Sequence, residues 1–214
     1  MSRASLRRFG AALLLACSAP RFAVADAALR APPPAEPYLQ AIAPDLLPRL
    51  EREHFVMLPS DAGSPGLSQG LVMFSKPYTQ VWQLLTQTHR QREYREELAE
   101  LTNFERTENA VVERHRIRML FVGLAYHLRY EFDAPKCHIA WSLAPNYEND
   151  IEQISGVWDL FTLGGDRTVG RLGTAVRVGK AMPKSMQDSI TRAKVPETLE
   201  NVRRWVDSDG KWRP

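Results

Sequence analysis

Two segments at the end of the chain decide what it can fold into. Residues 167–179 read as a strand, and Met182 to Val206 is the longest helical pattern in the 214-residue sequence. Ahead of them, short runs alternate with period two. In residues 111–118, Glu113, His115 and Ile117 oppose Arg114, Arg116 and Arg118. In residues 125–133, Tyr126, Leu128, Tyr130 and Phe132 oppose His127, Arg129, Glu131 and Asp133, and in residues 137–143, Ile139, Trp141 and Leu143 oppose His138 and Ser142. Gly156-Val-Trp158-Asp-Leu160 continues the scheme, and Gly164-Gly165-Asp166 turns the chain into the last strand. One-sided alternation over successive strands predicts an antiparallel sheet with one face covered. Only the terminal helix is long enough to cover it.

That helix carries two apolar stripes. Met182, Met186, Ile190 and Ala193 form one, and Val195, Leu199, Val202 and Val206 form the other. They are displaced by about one residue, roughly 100° around the axis. Pro196 lies between them and removes a backbone donor, so a kink or break is expected near residues 194–196.

Earlier in the chain, residues 67–74 read as a first strand, ended by Ser75-Lys76-Pro77. Pro77 suits the start of a helix whose apolar face is Val81, Trp82, Leu84 and Leu85. A second short helix is expected over residues 90–99, with Tyr94 and Leu98 inward and its Arg and Glu residues in water. Residues 31–37 contain four prolines and read as an extended tether, and residues 44–53 as one short helix. The turn-rich Asp61-Ala-Gly-Ser-Pro-Gly66 then marks the start of the compact domain, giving residues 1–25 as leader, 26–66 as tether and helix, 67–209 as the domain and 210–214 as a tail.

The formal charge of +3 belongs to the leader. Without Arg3, Arg7, Arg8 and Arg21, the 28 basic residues fall to 24 against 25 acidic ones. No electrostatic case for nucleic acid survives. The leader has a basic start (1–8), an apolar run (9–17) and Ala23-Val24-Ala25, the three parts of an export signal. Export to a periplasm-like or extracellular space is expected. A rival reading takes Leu14-Leu15-Ala16-Cys17 as a lipoprotein signal, with Cys17 as a membrane anchor. Cys137 is then the only cysteine beyond the leader, so no internal disulfide forms.

The order strand, two short helices, about six antiparallel strands and one long terminal helix, with a curved sheet of about six to seven strands in all, is an α+β arrangement. It resembles the START-like superfamily, also called polyketide cyclase/dehydrase and lipid-transport (SRPBCC, helix-grip) proteins, most closely the coenzyme Q-binding, Coq10-like branch. The resemblance rests on Phe74-Ser-Lys-Pro-Tyr-Thr-Gln-Val81-Trp82-Gln-Leu-Leu85, on Gly156-Val-Trp158-Asp-Leu160, on Arg167-Thr168-Val-Gly-Arg171, and on Met182-Pro183. It implies a cavity between curved sheet and last helix that holds an apolar or amphipathic molecule such as a quinone, sterol, lipid or polyketide-like compound.

The residues expected to line that cavity are Leu85, Tyr94, Ile117, Tyr126, Tyr130, Ile139, Trp141 and Trp158, with Met182, Met186 and Ile190 from the helix. Aromatic rings with polar tips suit small-molecule sites, and thioethers adapt to irregular ligands; ordinary core packing is the alternative for each. His115, two residues from Glu113 on the same strand face, is the one pair able to do proton chemistry, the alternative being a solvated sheet edge. The other histidines are scattered, so neither a metal nor a cofactor is expected. No phosphate-binding glycine loop or serine nucleophile elbow occurs. The apolar run Met119-Leu-Phe-Val-Gly-Leu-Ala125 can touch a membrane if it is a hairpin tip. These features point to a monomeric carrier of a hydrophobic small molecule, and in second place to a cyclase or dehydratase using His115 and Glu113.

Overall fold

A computed structural model describes residues 29–59, 67–119, 122–179 and 184–214. Eight strands form one antiparallel sheet: β1 Phe55–Leu58, β2 Leu67–Phe74, β3 Leu98–Arg106, β4 Ala110–Met119, β5 Val122–Asp133, β6 His138–Leu143, β7 Gln153–Leu163 and β8 Arg167–Arg177. Their order is β1-β2-β8-β7-β6-β5-β4-β3. The helices are α1 Ala35–Ile42, α2 Leu46–Glu53, α3 Tyr78–Leu85 and α4 Lys184–Asp207. The inner face of the sheet packs on α3 and α4. β2 and α3 fall where the sequence places them, because Pro77 holds extended backbone just before the first turn of α3 and Val81, Trp82 and Leu85 turn inward.

Five expectations need correction. The sheet has eight strands rather than six or seven, the additions being the edge strands β1 and β3. The expected helix over residues 90–99 is instead a short 3₁₀ helix, Thr88–Glu93, a turn at residues 94–97 and the first two residues of β3. Bulges between Leu98 and Glu100 and between Asn103 and Glu105 shift the register of β3 on β4, so its period-two signal is erased.

The stretch before residue 67 is not a tether. α1 starts inside the proline run, since Pro34 is extended at its N-cap and Pro37 lies in the first turn, where no intrahelical donor is lost. Ala35, Leu39, Leu46 and Leu50 bury against Leu71, Met73, Leu163 and Val169 on the outer face, so both faces of this part of the sheet are covered. Tyr38 of α1 stacks on Phe161 at 4.5 Å, beside an outer-face cluster in which Asp159 takes hydrogen bonds from Arg171 Nε at 2.9 Å and His138 Nδ1 at 2.6 Å. The signal was the unbroken apolar run Leu71-Val-Met-Phe74, which marks a strand buried on both sides.

α4 is a continuous helix with Pro196 inside it, not a broken pair. Val195, Leu199, Val202, Trp205 and Val206 are buried, whereas Ala193, expected on the first stripe, is exposed. The segment 210–214 is not a free tail: Trp212 packs on the core and Arg213 pairs with Glu93 at 2.9 Å.

Leu199 is fully buried directly over β2, and a Cβ at Gly70 would lie 2.5 Å from its Cδ1. Helix and sheet approach this closely only because residue 70 has no side chain. Gly70→Ala is therefore expected to lower unfolding stability by about 1–3 kcal/mol in a denaturant titration. Combined with Leu199→Ala, the loss should fall short of the sum of the two single losses, because the second change makes room for the first.

Candidate ligand cavity

A cavity of about 200 Å³ lies between the inner face of the sheet and α4. The alternation of β5 directs Tyr126, Leu128 and Tyr130 into it, and Ile139 and Trp141 of β6 with Trp158 of β7 continue the wall. Trp141 pairs across the strands with Gly156, and any side chain at residue 156 would collide with its indole. Leu85 and Ile117 close one side, and Ile190, Val195 and Val202 of α4 form the roof. All nine described residues of the expected lining set border this space: Leu85, Tyr94, Ile117, Tyr126, Tyr130, Ile139, Trp141, Trp158 and Ile190. Met182 and the side chain of Met186 lie outside the described residues.

Sequence reading missed the polar end. Gln91, Arg95 and Glu97 line the cavity, although their segment reads as a solvated helix face. Arg95 donates from Nε to Glu97 Oε1 at 2.7 Å and from Nη1 to Gln91 Oε1 at 3.0 Å, and Gln91 Nε2 donates to the Tyr130 hydroxyl at 3.0 Å. Burial raises the phenol pKa values of Tyr94, Tyr126 and Tyr130, keeping them neutral donors. Burial alone would discharge Arg95 and Glu97, but each outweighs that penalty for the other: Arg95 is held above its ordinary range and Glu97 below its own. The only sequence hint was an Arg and a Glu two residues apart just before a strand.

The polar end is held by α4. Trp205 is fully buried and donates from Nε1 to Glu93 Oε2 at 2.9 Å, while the Arg90 guanidinium lies 4.9 Å over its ring and binds the same carboxylate. The Trp205 and Tyr94 rings meet at 4.9 Å, and Asn201 Nδ2 donates to the Tyr94 carbonyl. Gly210, at φ +73°, closes the helix by donating to the Trp205 carbonyl, and its own carbonyl accepts from Arg90.

His115 and Glu113 contradict both earlier readings. They are fully buried, so they are no solvated edge, and neither borders the cavity. Glu113 accepts from Thr88 Oγ1 at 2.6 Å and lies 3.4 Å from His115 Nε2, while His115 Nδ1 has no partner among the described residues. The imidazole packs against the rings of Tyr126 and Tyr130, at 5.6 and 6.1 Å, and it is those rings that face the cavity. Among the described residues no cluster of His, Cys, Asp and Glu is arranged to hold a metal. The buried thiol of Cys137 is spent on the Arg30 carbonyl at 3.1 Å, and burial pushes its pKa to about 11.

Burial holds the His115 pKa below its ordinary 6.5. The unfolded chain therefore takes up a proton that the folded chain resists, and stability must fall as pH drops below about 6.5 toward the folded pKa. Melting temperature measured from pH 7.5 to 5 is expected to decline in the wild type. His115→Gln should flatten that decline; an unchanged slope would show that His115 does not set it.

No protein-family model matches the chain, and no curated protein is similar to it in sequence. Solved structures do match in shape. The Zhui aromatase/cyclase from Streptomyces sp. R1128 superposes with a TM-score of 0.57 at 16% identity, over 72% of this chain and 94% of that one. A STAR-related lipid transfer protein from Xanthomonas axonopodis gives 0.59 at 14% identity, over 72% and 98%. A START superfamily protein from Mycobacterium smegmatis gives 0.57 at 12%, over 66% and 97%. The chain thus has the helix-grip fold that START proteins share with polyketide aromatase/cyclases.

Proposed function

We propose that this protein is an exported, monomeric carrier that holds an apolar or amphipathic small molecule between its sheet and α4. The observation that carries this reading is the cavity itself. It has aliphatic and aromatic walls, with polar groups gathered at one end and largely bonded to each other. Preformed apolar cavities with a few convergent polar groups are the usual form of small-molecule sites. The fold, shared with a protein named for lipid transfer, agrees with it. Export is supported by the leader composition of residues 1–25, which lie outside the described residues, and a Cys17 lipid anchor is the variant of the same proposal. A membrane contact through residues 119–125 is part of the same proposal, and the pairing of Met119 with Val122 at the adjoining ends of β4 and β5 supports it. Residues 120 and 121 lie outside the described residues.

A cyclase or dehydratase is the second reading, favoured by the charged Arg95 at the cavity end and by the fold shared with the Zhui aromatase/cyclase. Its original acid–base pair loses ground, because His115 and Glu113 have no access to the cavity. Of the ligands the resemblance allows, a coenzyme Q with a polyprenyl tail is the least compatible with 200 Å³.

Native mass spectrometry on protein purified from its own host is expected to show one bound apolar molecule per chain. Ile154→Trp, which adds bulk at the cavity wall, should abolish it. Consistently empty protein would overturn the carrier reading, and turnover of the extracted molecule would convert it into the enzyme reading.

A further inference from the structure

The hydrogen-bonding groups at the polar end of the cavity are not balanced. The carboxylate of Glu97 and the amide oxygen of Gln91 are engaged by Arg95. The Gln91 amide nitrogen is engaged by the Tyr130 oxygen, and the Lys194 ammonium by both oxygens of Glu197 at 2.7 and 2.8 Å. What remains is mostly donors: against Glu97 Oε2 stand the O–H of Tyr130, whose oxygen already accepts, the O–H of Tyr126, whose oxygen is bonded by the guanidinium, and the further N–H groups of Arg95. About a fifth of the Arg95 side chain (21%) is left uncovered, and this residue borders the cavity. Buried donors of this kind call for an acceptor.

Charge narrows the choice. Arg95 is already neutralised by Glu97, whose side chain is only 12% exposed. An incoming carboxylate or phosphate would bring a second anion against a buried one, which costs more than the hydrogen bonds return. A neutral oxygen acceptor meets no such opposition.

Volume narrows it further. An engineered apolar cavity of about 150 Å³ admits benzene, and sites for drug-sized ligands begin at about 300 Å³. The 200 Å³ found here falls between them. Its rings, Tyr126, Tyr130, Trp141 and Trp158, favour flat partners.

We infer that the ligand is a compact, uncharged molecule of one or two rings that presents a single carbonyl-type oxygen to Arg95, Tyr126 and Tyr130, and that two-chain lipids are excluded. This rests on the reading of the cavity as a ligand site and narrows its ligand class.

Isothermal titration of the full chain with 1-tetralone, tetralin and 1-naphthoate tests it, together with mass spectrometry after incubation with dioleoylphosphatidylcholine vesicles. Tetralone is expected to bind about tenfold more tightly than tetralin, which lacks only the oxygen, given about threefold from each of the two tyrosine hydroxyls that donate to it. Naphthoate should bind at least tenfold more weakly than tetralone, and no phospholipid should be carried. Tyr126→Phe/Tyr130→Phe, which keeps both rings, should bring tetralone and tetralin to within about twofold. If the double variant does not fold, the single variants should each lower the preference about threefold. Equal affinity for tetralone and tetralin in the wild type, or one phospholipid bound per chain, would overturn the inference while leaving a ligand site intact. If no probe binds and Ile154→Trp matches the wild type in every titration, the carrier reading itself fails.

Discussion

The clamp on Glu93 is the interaction on which the site depends. One carboxylate at the end of the 3₁₀ helix takes hydrogen bonds or ion pairs from Trp205, Arg90 and Arg213, so it joins the last turn of α4, the C-terminal segment and the stretch leading into β3. Burial opposes its charge, but the hydrogen bonds from Arg90 and Trp205 hold its pKa below the ordinary carboxylate range. Such convergence is worth more than separate surface pairs, because each partner orders the carboxylate for the others. Tyr94, Arg95 and Glu97 follow within four residues. Their position at the cavity end is therefore set by a contact made outside the cavity.

A second constraint comes from the sheet. Covering its outer face with α1 and α2 fixes β1, β2, β8 and β7 from behind, while the C-terminal half of α4 fixes β2 from the front through Gly70. The inner face at β5 and β6 instead borders the cavity, which runs beneath α4 from Ile190 to Val202, and there the aromatic residues leave space. Rigid packing and empty volume are thus divided across the sheet. Such a division allows a stable domain to keep a hole in its core without losing its shape.

Period-two strands, the helix after Pro77 and the one-face wall of β5, β6 and β7 were legible because burial acts on them residue by residue. Tyr126, Tyr130, Trp141 and Trp158 announce their face by alternation alone. The polar end was not legible, since Arg95 and Glu97 are residue types that solvate well, and only the turn between the 3₁₀ helix and β3 places them inward. α1 was hidden for a different reason: prolines in a first turn look the same as prolines in an extended chain until Leu39 finds a surface to bury against. His115 shows the limit of strand patterns. Alternation correctly puts it inside, but cannot say whether inside means the cavity or the space behind the tyrosines.

Pro196 has a mechanical consequence. It offers no N–H to the carbonyl of Arg192, so the helix is joined across that turn by one bond fewer than elsewhere. Beyond it the helix is bolted to β2 and to Glu93, and the hole lies beneath both sides of it, from Ile190 to Val202. A beam fixed at one end and thinned at one section bends there first. The roof thus has a weak backbone joint at a residue whose replacement leaves the walls untouched.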